Sequence, residues 1–79
     1  MKVEVELFAT LVAYLPPGAT GDSVTRDIPD GITIAEVIRS LQIPIRLECL
    51  TVVNGRDAPF EHRLADGDVL SLFPPLAGG

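Results

Sequence analysis

Gly78 and Gly79 close the sequence, and the residues before them decide what chemistry they can do. Phe73-Pro74-Pro75-Leu76-Ala77-Gly78-Gly79 reads as the end of an apolar strand, then two residues of fixed φ, then a run with no capacity for regular structure. The prolines hold the segment extended, in polyproline II-like geometry, and their nitrogens cannot donate to a sheet ladder. The two glycines carry no side chain, so they fit a channel too narrow for any other residue. The reactive group they present is the α-carboxylate of Gly79. A carboxylate at neutral pH is a poor acyl donor and needs activation, typically as an acyl-adenylate formed with ATP in another protein. A sulfur source attacking that adenylate would leave a thiocarboxylate, nucleophilic, carried on the tail and kept out of free solution. Such chemistry asks for a narrow extended tail, residues 76–79, on a rigid domain, residues 1–75.

The other polar and reactive side chains compete poorly. Cys49 reads either as a sulfur-transfer thiol or as a small buried hydrophobe, and Leu47 and Leu50 beside it favour the second. His62 has no histidine or cysteine at ligand spacing and reads as a surface residue. Asp66-Gly67-Asp68 could suggest metal binding, but Asp-Gly-Asp is far more often a tight turn. Glu4 and Glu6 suit a solvated strand face. Phe8 and Phe60 fit either an exposed apolar patch around the tail or the core. Phe73 suits core packing at a strand end, partner contact, or both.

These groups must be positioned by a small domain. The chain has 79 residues, which leaves little room for a deep cleft beside a stable core and favours a carrier, a binding module or a subunit. Hydrophobic residues make up 47% and charged residues 22%, a globular composition. A net charge of −5 repels phosphate backbones, which argues against nucleic-acid binding and for a basic partner surface. A single cysteine excludes an intrachain disulfide and paired-cysteine metal sites. The opening Met1-Lys2-Val3-Glu4 does not read as a signal peptide, and no apolar run approaches the ~20 residues of a membrane span. A cytoplasmic setting is the expectation.

Val3, Val5 and Leu7 alternate with Lys2, Glu4 and Glu6, which predicts a half-buried strand over residues 2–8. Residues 9–15 suit a short helical turn, stopped by Pro16-Pro17-Gly18. Residues 24–28 read as a second strand, with Pro29-Asp30-Gly31 as the turn after it. Thr33 followed by Glu36 is a capping box, and Ile34, Val37, Ile38 and Leu41 form one apolar stripe on a helix over residues 34–41, ended by Pro44. A β-branched run over residues 50–53 meets Asn54-Gly55, a strong hairpin signal, and residues 56–58 return as a short strand. Residues 59–64 read as irregular. Residues 69–73 form a last strand, apolar on both faces except at Ser71, as suits a central covered strand. The order predicts an α+β domain with a mixed sheet of four to five strands around one main helix.

The stretch from Leu64 through Asp66-Gly67-Asp68, Val69-Leu70-Ser71-Leu72-Phe73 and Pro74-Pro75-Leu76-Ala77-Gly78-Gly79 resembles the C-terminus of the ubiquitin-like sulfur carriers of the MoaD/ThiS type. The likeness is greatest to the small subunit of molybdopterin synthase, and it extends loosely over the whole chain. It implies a β-grasp fold. It implies activation by an E1-like adenylating enzyme that uses ATP, with no cofactor bound by the chain itself. It further implies insertion of the tail into the molybdopterin synthase large subunit, in molybdenum cofactor biosynthesis. Gly79 would carry the sulfur, and Phe73, Pro74, Pro75, Leu76, Ala77 and Gly78 would make the partner contacts. The chain would then be the non-catalytic, sulfur-donating subunit of a sulfurtransferase complex. The segment between Leu41 and Thr51 is shorter than in many molybdopterin-synthase small subunits, which carry a second helix there. That leaves open a thiamine-type carrier acting with a thiazole synthase, a carrier for cysteine synthesis, and a protein modifier joined through Gly79 to lysines.

Overall fold

The computed structural model describes residues 1–44 and 49–75. Five strands and one α-helix occur in the order β1 (Lys2–Leu7), a 3-10 turn (Ala9–Tyr14), β2 (Ser23–Asp27), α1 (Ile34–Ser40), β3 (Leu50–Val53), β4 (Arg56–Asp57) and β5 (Val69–Phe73). The strands lie in one sheet in the order β2-β1-β5-β3-β4. β1 runs parallel to β5, and the other pairings are antiparallel. The sheet is mixed and holds one main helix, as expected for a β-grasp.

The period-two pattern of β1 sorts its side chains cleanly. Val3, Val5 and Leu7 are buried, Lys2 and Glu4 are exposed and Glu6 is half-buried. In the register of β5, Val5 lies beside Leu70 and Leu7 beside Leu72. β3 adds Val53 beside Leu70 and Thr51 beside Leu72. The apolar stripe of α1 supplies Ile34, Val37 and Ile38, all but sealed from water and part of one cluster with the buried sheet residues. Each fully buried aliphatic side chain of this kind is worth ~1.5–3 kcal/mol over leaving it exposed. Thr51 is the one buried polar side chain among the described residues, and its hydroxyl donates to the Ala58 carbonyl.

The start of α1 is as expected, and its end falls within one residue of the expected Leu41 but by a different device from Pro44. Thr33 Oγ1 accepts from Glu36 N at 3.2 Å, and Thr33 N donates to Glu36 Oε1 at 3.1 Å, so the capping box is complete. The helix does not reach Pro44. Leu41 caps it and Gln42 turns left-handed at φ 63°. Gln42 N donates to Arg39 O and Ile43 N to Ile38 O, the paired bonds of a Schellman motif with Ile43 buried behind them. The predicted hairpin forms, with Asn54 and Gly55 both at positive φ.

The last strand is central, but only one of its faces is closed. Leu70 and Leu72 are fully buried, whereas Val69, Ser71 and Phe73 are half-buried on the face away from the helix. A run that looks two-faced in sequence therefore packs one face on the core and leaves the other partly open, as antiparallel-type sheets allow.

Candidate functional site

The tail leaves from the end of β5, so the site begins with what holds that strand. Its two long sides are both paired, to β1 and to β3. At its base, Asp68 O accepts from Glu4 N at 3.0 Å, and Gly67 N donates to Lys2 O at 2.8 Å. The Asp66 carboxylate accepts from Lys2 N at 2.7 Å, and the Asp68 carboxylate accepts from Ala65 N at 2.8 Å. Asn54 completes this anchor. Its Nδ2 donates to Asp68 Oδ1 and its Oδ1 accepts from Val69 N, both at 2.9 Å. The Asp-Gly-Asp motif is thus a turn whose carboxylates cap backbone amides. Among the described residues, no group of three or more acidic, histidine or cysteine side chains is placed to hold a metal.

At the other end, Phe8 N donates to Leu72 O at 3.1 Å, the last such bond beside β5. The Phe8 ring lies parallel to the Phe73 ring, with centroids 4.5 Å apart and 4° between planes. Both rings are half-buried. Pro74 is half-buried and Pro75 exposed, so the chain emerges from the sheet within these two residues. Leu76, Ala77, Gly78 and Gly79 lie outside the described residues. Leu50, paired with Phe73 across the sheet, is 53% exposed, and Val12 within the 3-10 turn is 41% exposed. Phe8, Phe73 and Leu50 therefore form an apolar surface at the point of exit. Ser71 and Glu6 flank it, with the Ser71 hydroxyl donating to Glu6 Oε1 at 2.9 Å.

A shallow groove of about 590 Å³ opens beside this exit, lined in part by Cys49, Leu50 and Phe73. Cys49 is 6% exposed, and burial pushes its thiol pKa up, against a smaller downward pull from a backbone hydrogen bond. It is a packed side chain, as its neighbours suggested. His62 is half-buried in a turn whose carbonyl accepts from Ile34 N. Phe60 packs against the core, whereas Phe8 sides with the tail. The sequence flagged Phe8 without choosing its place, because the parallel pairing that brings it to Phe73 joins residues far apart in the chain. The bridging role of the Asn54 amide had no signal beyond the Asn-Gly turn.

No described helix is long and apolar enough to cross a membrane. In comparisons with known proteins, the ThiS family profile matches residues 5–79. No curated protein matches the sequence significantly. Solved structures do. The HVO 2177 protein of Haloferax volcanii is 30% identical, with a TM-score of 0.78, over 100% of this chain and 87% of that one. SAMP1, small archaeal modifier protein 1 of Haloferax volcanii, is 26% identical, with a TM-score of 0.74, over 100% of both chains. A chain in the complex of subunits 1 and 2 of molybdopterin-converting factor from Helicobacter pylori 26695 is 27% identical, with a TM-score of 0.59, over 100% of both.

Proposed function

The chain belongs to the ThiS family of ubiquitin-like β-grasp sulfur carriers, and from that premise we propose that Gly79 is the carrying residue and molybdopterin the destination. In this reading a partner enzyme of the E1 type joins the Gly79 carboxylate to AMP, releasing pyrophosphate from ATP. A sulfur nucleophile then displaces AMP and leaves a thiocarboxylate. The loaded tail enters the large subunit of a molybdopterin synthase, where the sulfur passes to a pterin intermediate.

The observation that carries the reading is the anchoring of β5. A strand paired on both sides, pinned at its base by Asn54 and Asp68 and at its tip by the Phe8–Phe73 stack, launches Pro74 and Pro75 from a fixed point. A rigid launch limits how much freedom the tail loses on entering a partner, which favours binding. The similarity to a chain of the molybdopterin-converting factor complex supports the destination. Phe73, Pro74 and Pro75, with Leu50 and Phe8 beside them, would meet the partner as the tail enters.

Intact mass after incubation with ATP, a cognate activating enzyme and a sulfur donor tests the carrier chemistry. One oxygen exchanged for sulfur at Gly79 is expected. An unchanged mass with every cognate activating enzyme would overturn it. Co-purification with a molybdopterin synthase large subunit, rather than a thiazole synthase, tests the destination.

The similarity to SAMP1 favours a second reading, in which the activated carboxyl passes to amines of other proteins. Covalent adducts in lysate, lost on deleting Gly79, are its signature.

A further inference from the structure

An activated carboxyl on a short tail is exposed first to the nucleophiles of its own chain. This chain has few. It contains one lysine, Lys2, one histidine, His62, and one cysteine, Cys49. With the α-amine of Met1 these make up its amines, imidazole and thiol.

The sheet separates these groups from the exit of the tail. β1 and β5 run parallel with Glu4 beside Val69, so Lys2 stands two positions before the base of β5. The Met1 amine donates to Ile28 O at 2.8 Å, at that same end. His62 O accepts from Ile34 N at the start of α1, which follows the end of β2 that pairs with Lys2, again at the base. Phe73 is six positions beyond the level of Lys2, ~20 Å along the strand. The six residues from Pro74 to Gly79 span at most ~20 Å fully extended. β5 itself runs away from Lys2, and the first two of these residues are prolines of fixed φ. A tail that reversed at once and lay flat along the sheet would spend its whole length to arrive. Cys49 is the exception by position, because Leu50 pairs with Phe73 and sets Cys49 at the exit. It is an exception that burial removes. The thiol is enclosed, and the same burial keeps it protonated and weakly nucleophilic.

We propose that this fold keeps its own nucleophiles away from its activated C-terminus, the amines and imidazole by placement at the opposite pole of the sheet and the thiol by enclosure. The activated Gly79 carboxyl is thereby left for an incoming sulfur or for an amine of another molecule. The inference rests on the reading of Gly79 as an activated carboxyl, but its test does not require the natural activating enzyme.

The test uses the full chain bearing a thioester of 2-mercaptoethanesulfonate on Gly79, prepared by intein cleavage and held at pH 8 in dilute solution. Self-capture by an amine or imidazole forms a C–N bond at Gly79, and capture by Cys49 a new C–S bond; either breaks the original C–S bond and expels 2-mercaptoethanesulfonate with the nucleophile's proton. The product is lighter than the free acid by one water and carries a cross-linked peptide. The wild-type chain should lose its thioester by hydrolysis alone. Leu50→Lys places an amine at the exit on an exposed site, and should cyclise onto residue 50 at least tenfold faster than the wild-type thioester decays, at a rate independent of concentration. Circular dichroism verifies that the variant is folded. The proposal is overturned by a wild-type link to Lys2, Met1, His62 or Cys49 formed within one molecule at a rate comparable to the variant's. It is equally overturned if folded Leu50→Lys does not cyclise. Failure of the sulfur-loading experiment with this result intact would reject the carrier reading and leave the sorting of nucleophiles standing.

Discussion

Replacing Asn54 with alanine should unfasten the base of β5, and the structure fixes how much that costs. The substitution removes two hydrogen bonds, to Asp68 and from Val69 N, both at 2.9 Å. At ~1 kcal/mol each, these are worth about 2 kcal/mol together. It also forces a residue with a Cβ and no compensating local hydrogen bond to hold φ 51°, which adds ~1 kcal/mol or more. A loss near 3 kcal/mol is a large part of the 5–15 kcal/mol typical of a domain. Asn54→Gly loses the hydrogen bonds but not the backbone fit, so it should recover ~1 kcal/mol relative to alanine. Urea denaturation followed by far-UV circular dichroism suits a chain without tryptophan. The reasoning fails if Asn54→Ala lies within ~0.5 kcal/mol of wild type, or if glycine is the worse of the two.

Gln42 holds a left-handed C-terminal cap that glycine fills without strain, so Gln42→Gly should stabilise by ~0.5 kcal/mol and raise Tm by a few degrees in a thermal melt. The Phe8–Phe73 stack should give a coupling of ~0.5–1.5 kcal/mol in a double-mutant cycle to leucine, read by denaturation. A coupling indistinguishable from zero would remove the stack from the account of the exit. Glu36 has its pKa lowered, chiefly by the backbone hydrogen bond from Thr33 and then by its side chain. Its contribution is therefore present above the unfolded-state value near 4.5 and is lost as pH falls through the lower folded value. The stability gap between wild type and Glu36→Gln should narrow across that acid range and hold constant above it.

Local pattern carried most of the elements into view. The alternation of Val3, Val5 and Leu7 marked β1, the Thr33–Glu36 box marked the start of α1, and Asn54-Gly55 marked the hairpin, because each is a short-range arrangement of residues with one dominant physical outcome. The end of α1 fell within one residue of the expected Leu41, but its terminator was missed: the chain stops the helix before Pro44 with a glutamine in a conformation that sequence usually signals by glycine. Val69 looked covered, and Phe73 stayed open between core and partner, because hydrophobicity records that a side chain can be covered, not which surface covers it. The tail was legible as chemistry, whereas its anchor was not. The Asn54–Asp68, Asn54–Val69 and Phe8–Phe73 contacts span 14 residues or more, which no periodicity encodes.

The pairing of β1 with β5 also determines how the domain bears load. These neighbours run parallel, so tension between residue 1 and residue 75 draws them past each other lengthwise. Pulling in that direction strains the ladder bonds beside β5 together, among them those at Asp68 and Leu72, instead of parting them one after another from an end. A β5 drawn out by its own tail would have to shear on two sides at once, against β1 and against β3. Against a pull applied at residue 75 the domain therefore behaves as a fixed handle.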